Sequence, residues 1–389
     1  MATELSFTAI QTDNITRFNE VLGAYLGARA DVGERLTSLL AEEPQMPMAV
    51  CLQGYLLKLA AHPKFTTSLQ NFVAQAQNIS ASGQCNERER QHIQALTAWA
   101  YGHEEQALTI LEDLLSSNPS DMCALRVAHY LHFYRGVGEN MLASTRRVRS
   151  FWQEGDDHFG YYLGMHAFGL EESGDLVAAE QVGRTAAEIN PSDLWAVHAV
   201  DHALYTQGDH QAGIRWLRQH ESAWVGTNNF RYHLYWHLAL HHLKVGEHSV
   251  SLGIYDAQLA SSISDDFYLD MCNNAALLWR LEYRGVDVGD RWQALVEIAE
   301  GHTRDQELVF ASLHYLLPLA RLHSPKLVDM RANFSVWSKG RTDQARVSQL
   351  VGEPLATTVA NQNPQADWQK SLHTVGGSHA QRELFSELT

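Results

Sequence analysis

Apolar residues recur at helical spacing along almost the whole chain, and the alternating β-branched runs of half-buried strands are missing. The pattern predicts an all-α protein. Before residue 80 it gives helices over 18–26, 35–40, 49–59 and 64–78. Pro44 and Pro47 break the chain ahead of the third, and His62-Pro63 ends it, because a residue that precedes proline is biased away from helix. Beyond residue 86 the helices come in pairs. Gly102, Gly136, Gly174, Gly208 and Gly246 fall where five pairs turn, at spacings of 34, 38, 34 and 38 residues. Counted back from Pro119, Ala95 and Ala107 take the small positions of a 34-residue tetratricopeptide unit and Leu111 a large apolar one. Counted back from Pro191, Ala167, Ala179 and Ala186 take the small positions.

A sixth pair follows over 270–284 and 291–300, with Gly285 and Gly289 between. The remainder reads as a helix over 305–322 interrupted by Pro318, then helices over 326–334, 342–351 and 353–359. A loop at 361–364 and final helices over 365–373 and 378–388 complete it; Gly376-Gly377 with Ser378 reads either as the capped entry to the last helix or as a helix N-terminus that holds an anionic substrate group. The organisation expected is N-terminal helices (1–85), a tetratricopeptide-like hairpin array (86–300) and C-terminal helices (301–389) in one α-solenoid. Its terminal helices are expected to close the concave face into a pocket. The mixed charges of 87–90 read most simply as a solvated helix start.

In such arrays the first helix of each hairpin lines the concave face. The glycine register places Cys123, Arg126, Tyr130, Phe133 and Tyr134 there, then Tyr161, Met165, Phe168, Glu171 and Glu172. Trp195, His198, His202, Tyr205 and Thr206 follow, then His233, Trp236, His237 and Lys244. Two histidine pairs at i, i+4 thus share helix faces without having been used to set the register. Asp201 falls where helix packing wants a small residue, so its carboxylate is expected to be buried and paired. His129 and His132 read as core or groove-wall residues, and His241 and His242 as packing or surface residues away from the centre.

Composition narrows the classes. The 389 residues carry 45 acidic and 29 basic side chains, a formal charge of −16, which argues against nucleic acid as the main partner. No apolar run is long enough to span a membrane, and the first residues lack the basic and apolar regions of a signal peptide. Cys51, Cys85, Cys123 and Cys272 are scattered and read as reduced thiols of a cytoplasmic protein. The 21 histidines and 10 tryptophans are conspicuous, the histidines densest in mid-chain.

The stretches GMHAFGLEESGDLVAAE, NPSDLWAVHAVDHALYTQGDHQAGIRWL, YHLYWHLALHHLKVGEH and GGSHAQRELF resemble the tetratricopeptide-repeat protein 38 family, known in bacteria and animals, over nearly the whole chain. The resemblance implies a helical repeat fold and no particular reaction. By position, that family's characteristic polar residues correspond to Glu172, His198, His202, His233, His237, His379, Gln381 and Arg382. This chain departs from it with Asp201 in place of an alanine, and with Ala311-Ser312-Leu313-His314 in place of an Asn-Asp-Ala-His segment. The family tends to continue with another helical pair.

Three functions fit. One is an enzyme whose His198, His202, His233 and His237 bind Zn or Fe, with Asp201, Glu171 or Glu172 ordering them and hydrolysis or another proton transfer as the chemistry. Another is metal-free acid–base catalysis, with one histidine as base oriented by Glu172 or Asp201. In both, a small organic ligand meets Tyr130, Tyr161, Met165, Phe168, Trp195, Tyr205, Trp236, His379 and Arg382. The last is a non-catalytic scaffold binding a partner protein or peptide along its groove. The aromatic lining favours a small ligand over an acidic peptide tail. Self-association into a homo-oligomer is compatible with all three.

Overall fold

The computed structural model describes residues 5–361 and 368–387. Among them are 21 α-helices, which pack as sequential pairs. The one β feature among these residues is an isolated bridge between Arg29 and Thr227. The expected loop at 361–364 lies mostly outside the described residues.

The N-terminal helices are α1 (Thr12–Leu26), α2 (Val32–Glu42), α3 (Pro47–Leu59) and α4 (Thr66–Ala81). Five hairpins follow: α5 (Glu87–Ala100) with α6 (Glu104–Ser117), α7 (Met122–Tyr134) with α8 (Gly138–Val148), α9 (Phe159–Glu172) with α10 (Leu176–Ile189), α11 (Leu194–Gln207) with α12 (His210–His220), and α13 (Phe230–Lys244) with α14 (His248–Ile254). The sixth pairs α15 (Tyr268–Tyr283) with α16 (Trp292–Gly301). Then come α17 (Val309–Arg321), α18 (Leu327–Trp337), α19 (Asp343–Val347), α20 (Glu353–Asn361) and α21 (His379–Ser386).

All five turn glycines have positive φ, from 64° at Gly136 to 87° at Gly174, as does Gly285 of the sixth pair at 77°. An L side chain is disfavoured there, which is why glycine recurs. The four extra residues of alternate repeats also have a location. Helices α8 and α12 are shorter than α6 and α10, and each is followed by a 3-10 turn, Arg149–Phe151 and Glu221–Trp224, before the next hairpin begins.

The chain divides into two compact units. The first takes the residues up to Phe133 with Gly138–Ala203 and His220–Asn228. The second takes Tyr134–Val137, Leu204–Gln219 and the residues from Asn229 onward. In the first unit α3 packs on α4 and α5, α5 on α6, and α9 on both α8 and α10. Its N-terminal segment is tied down by buried carboxylates. Glu89 accepts from the Thr8 backbone at 2.7 Å and hydroxyl at 2.6 Å, and Glu43 accepts from Asn14 at 2.7 Å.

This corrects the solvated reading of 87–90. Arg88 and Glu89 are buried, Arg88 against Asp121 at 2.6 Å, while Glu89 also completes a capping box with Asn86. The partners are distant in sequence, so the local charge pattern could not reveal them.

In the second unit α15 packs on α13, α16 and α17. Two expected breaks are absent. α17 runs through Pro318 to Arg321, so the proline removes one hydrogen bond near the end of the helix without interrupting it. α19 continues into α20 through a π-helical turn at Ser348–Gly352, and the missing N–H of Pro354 falls where that wide turn already shifts the hydrogen-bond ladder. The segment over 365–373, expected as a helix, is from Trp368 to Val375 a 3-10 turn. α21 begins as expected: Gly376 and Gly377 have φ of 74° and 79°, and Ser378 forms a capping box with Gln381. No described helix is long and apolar enough to cross a membrane.

The turn glycines separate two costs. A Cβ at Gly136 would lie 1.8 Å from the carbonyl oxygen of His373, whereas one at Gly174 meets nothing within 4 Å. Gly174→Ala is expected to cost roughly 1 kcal/mol, the backbone penalty alone. Gly136→Ala is expected to cost at least about 3 kcal/mol, because the C-terminal segment must also move. Urea unfolding of both variants checks this; equal losses would contradict it.

Candidate functional site

The first unit carries His198 and His202 on α11. Both are buried, and their ring centroids are 4.1 Å apart. Phe168 of α9 packs against both, at 5.4 and 5.2 Å, and Trp195 packs against His198 at 5.4 Å. Glu171 of α9 is buried, with an oxygen 3.5 Å from Nδ1 of His202. Glu171, Glu172 and His202 each offer a ligand atom within 4.8 Å of the others. Met165 and Phe168 are fully buried, Tyr130 and Tyr161 are half-buried, and Asp201 is completely buried.

The second unit carries His233 and His237 on α13, also buried. Nδ1 of His233 lies 2.9 Å from Oδ1 of Asn273 on α15, and Nε2 of His233 lies 3.2 Å from Nε2 of His237. An amide oxygen only accepts, so Nδ1 of His233 carries the proton and Nε2 presents its lone pair. Trp236 stacks on His233 at 5.2 Å and meets His237 edge-on at 4.9 Å.

A tetrahedral ion with metal–nitrogen distances of about 2.0–2.1 Å holds two imidazole nitrogens about 3.3 Å apart. The His233–His237 separation is close to that value. Taken pair by pair, the four buried histidines are a donor set geometrically compatible with a metal ion.

The other expected site residues have varied surroundings. Tyr205 donates to Glu383 of α21 at 3.0 Å, and Lys244 donates to the other oxygen of the same carboxylate at 2.8 Å. Gln381 is engaged in the α21 cap, Arg382 bonds to the carbonyl of Gly377, and His379 is exposed. His241 and His242 are buried packing residues; Gly213 leaves room for the His241 ring. His129 packs on Phe168 and Trp195 with neither ring nitrogen hydrogen-bonded. Burial, with the charge of Arg126 beside it, holds its pKa well below the usual histidine value. His132 bonds to Glu112 at 2.8 Å.

Three residues escape sequence reasoning. Asn273 and Glu383 are distant in sequence from their partners and carry no motif. Asp193 has a signal: the sequence Asn-Pro-Ser-Asp occurs twice, ending at Asp121 and at Asp193. Both carboxylates cap the helix that follows, Asp121 at Ala124 (2.9 Å) and Asp193 at Trp195 (2.9 Å). Their electrostatics differ. Burial opposes ionisation of Asp121, but His92 at 3.1 Å and Arg88 outweigh it and hold the pKa below the carboxylate range. Asp193 is fully buried, its second oxygen has no hydrogen-bond partner, and burial raises its pKa to about 7.

The sign follows from that shift. Asp193 holds its proton more tightly folded than unfolded, so its contribution is fully favourable below the unfolded pKa near 3.8 and is lost as pH rises through about 7. Asp193→Asn keeps the capping oxygen and removes the titration. Relative to wild type, the variant should gain about 1–3 kcal/mol between pH 5 and pH 8. Denaturant unfolding at both values tests this; a pH-independent difference would refute it.

No protein-family model matches the chain. Among solved structures, that of Naa15/Naa10 bound to HypK-THB is similar over 94% of this chain, with 12% identity and a TM-score of 0.29. The chain spans 57% of the length of that structure's matched chain.

Proposed function

We propose that the chain is a member of the tetratricopeptide-repeat protein 38 family. In this reading it is an enzyme acting on a small organic substrate, with His198, His202, His233 and His237 as ligands of a divalent Zn or Fe ion. The observation that carries the metal reading is the 3.2 Å separation of the His233 and His237 Nε2 atoms, with Asn273 fixing the tautomer of His233. The position of both pairs in the repeat register supports their acting together.

A bound ion of this kind would supply Lewis acidity and lower the pKa of water, the chemistry of hydrolysis. The protein's own groups have separate tasks. Asn273 holds the proton on Nδ1 of His233. Glu171, near Nδ1 of His202, is suited to do the same there. Glu172 and Asp201 are the carboxylates from which a proton acceptor would be drawn. Trp195, Phe168 and Trp236 exclude water and offer faces for an apolar or aromatic substrate.

Inductively coupled plasma mass spectrometry of the protein, purified without chelators or a histidine tag, tests the reading. Near-stoichiometric Zn or Fe is expected, and it should disappear in the double variant His198→Ala/His237→Ala. Asn273→Ala should weaken metal affinity about 10- to 100-fold while leaving all four ligands in place. Metal-free wild-type protein that also fails to take up Zn or Fe on dialysis would sink the proposal.

A further inference from the structure

Three arginines are buried among the described residues: Arg88, Arg126 and Arg280. Two of them have a carboxylate at hand. Arg88 lies 2.6 Å from Asp121, and Arg280 approaches Glu387 at 3.7 Å. Arg126, only 5% exposed, has no carboxylate within ion-pairing distance among the described residues. Its terminal nitrogen donates to the hydroxyl of Tyr130 at 3.2 Å, and its buried Nε has no acceptor. The guanidinium lies over the rings of Trp195 at 4.2 Å and Tyr130 at 4.8 Å.

A buried cation without a counter-ion is costly, and cation–π contact offsets only part of that cost. The acid that feels its charge, Asp193, does not reach it. One oxygen of Asp193 is used in the α11 cap, and burial favours its neutral form. Rings flank the guanidinium, and its unused N–H donors point in its own plane, the arrangement that accepts a carboxylate edge-on. Further rings adjoin it. Phe168 meets Trp195 at 5.0 Å, and Trp195 in turn meets His198 at 5.4 Å. An aromatic group bound to this wall would lie beside the histidines of the first unit.

We propose that Arg126 receives the carboxylate of a small aromatic acid whose ring packs on Trp195 and Tyr130, next to His198. This names the substrate class of the histidine site and rests on that reading for its catalytic meaning; as a binding site it stands alone. One guanidinium matches the charge of one carboxylate, and the aromatic walls select for a flat, apolar remainder.

Calorimetric titration of the full chain decides the matter. The probes are phenylacetate, indole-3-acetate, the neutral amide of each, and inorganic phosphate. Wild type is compared with Arg126→Gln and Arg126→Met; the methionine keeps an apolar stem between the rings if the glutamine variant folds poorly. At least one acid is expected to bind wild type, and its amide about 10- to 100-fold more weakly. Both variants should lose the acid by a similar factor while keeping the wild-type metal content. The proposal is overturned if neither acid binds at millimolar concentration, if amides bind as well as acids, if the variants bind the acids like wild type, or if phosphate binds more tightly than either acid. Acid binding by protein that neither holds nor takes up Zn or Fe would overturn the metal reading and leave this one standing. Metal binding without acid binding would do the reverse.

Discussion

The left-handed turn after the first helix of each hairpin is the constraint on which the structure depends. Only a residue without a side chain reverses the chain there at little cost, so glycine recurs at Gly102, Gly136, Gly174, Gly208 and Gly246, each at positive φ. Fixing those points fixes which residues of each first helix share a face. It therefore puts His198 and His202 on one face of α11 and His233 and His237 on one face of α13. The chemistry of the chain is inherited from the geometry of its turns.

Within that frame the repeat has diverged in a physically readable way. The two Asn-Pro-Ser-Asp segments are 72 residues apart. At the same offset, Arg88 and His92, which hold Asp121 ionised, are replaced by Gly160 and Gly164. A Cβ at Gly164 would come within 2.6 Å of the unpartnered oxygen of Asp193. The second copy thus lacks the groups that neutralise the buried acid of the first, and α9 approaches α11 closely there. The same offset carries Arg126 onto His198 and Tyr130 onto His202. A buried guanidinium in the second hairpin and an imidazole pair in the fourth occupy equivalent places on alternate first helices.

Helix periodicity, turn glycines and the Gly-Gly-Ser entry to α21 are local signals, and for that reason they were legible in the sequence. So was the sharing of one helix face by each histidine pair, because register alone assigns a face. What could not be read depends on distant partners. The charged start of α5 looked solvated, yet Arg88 and Glu89 are buried because Asp121, Ser6 and Thr8 come to meet them. Pro318 looked like a break, but one lost hydrogen bond near the end of α17 is tolerated where the rest of that helix is buried. Asn273 has no local mark at all; only the packing of α15 on α13 gives it a role.

The clasp on α21 has a kinetic consequence. Most helices here pair with a neighbour across a turn of a few residues, and such contacts close fast. Glu383 instead joins Tyr205 across 178 residues of chain and Lys244 across 139. Loop-closure entropy disfavours that contact until the intervening hairpins have shortened the path. The last helix of the second unit therefore docks onto helices that have already formed, and the ends of Tyr205 and Lys244 wait for their shared carboxylate until folding is nearly complete.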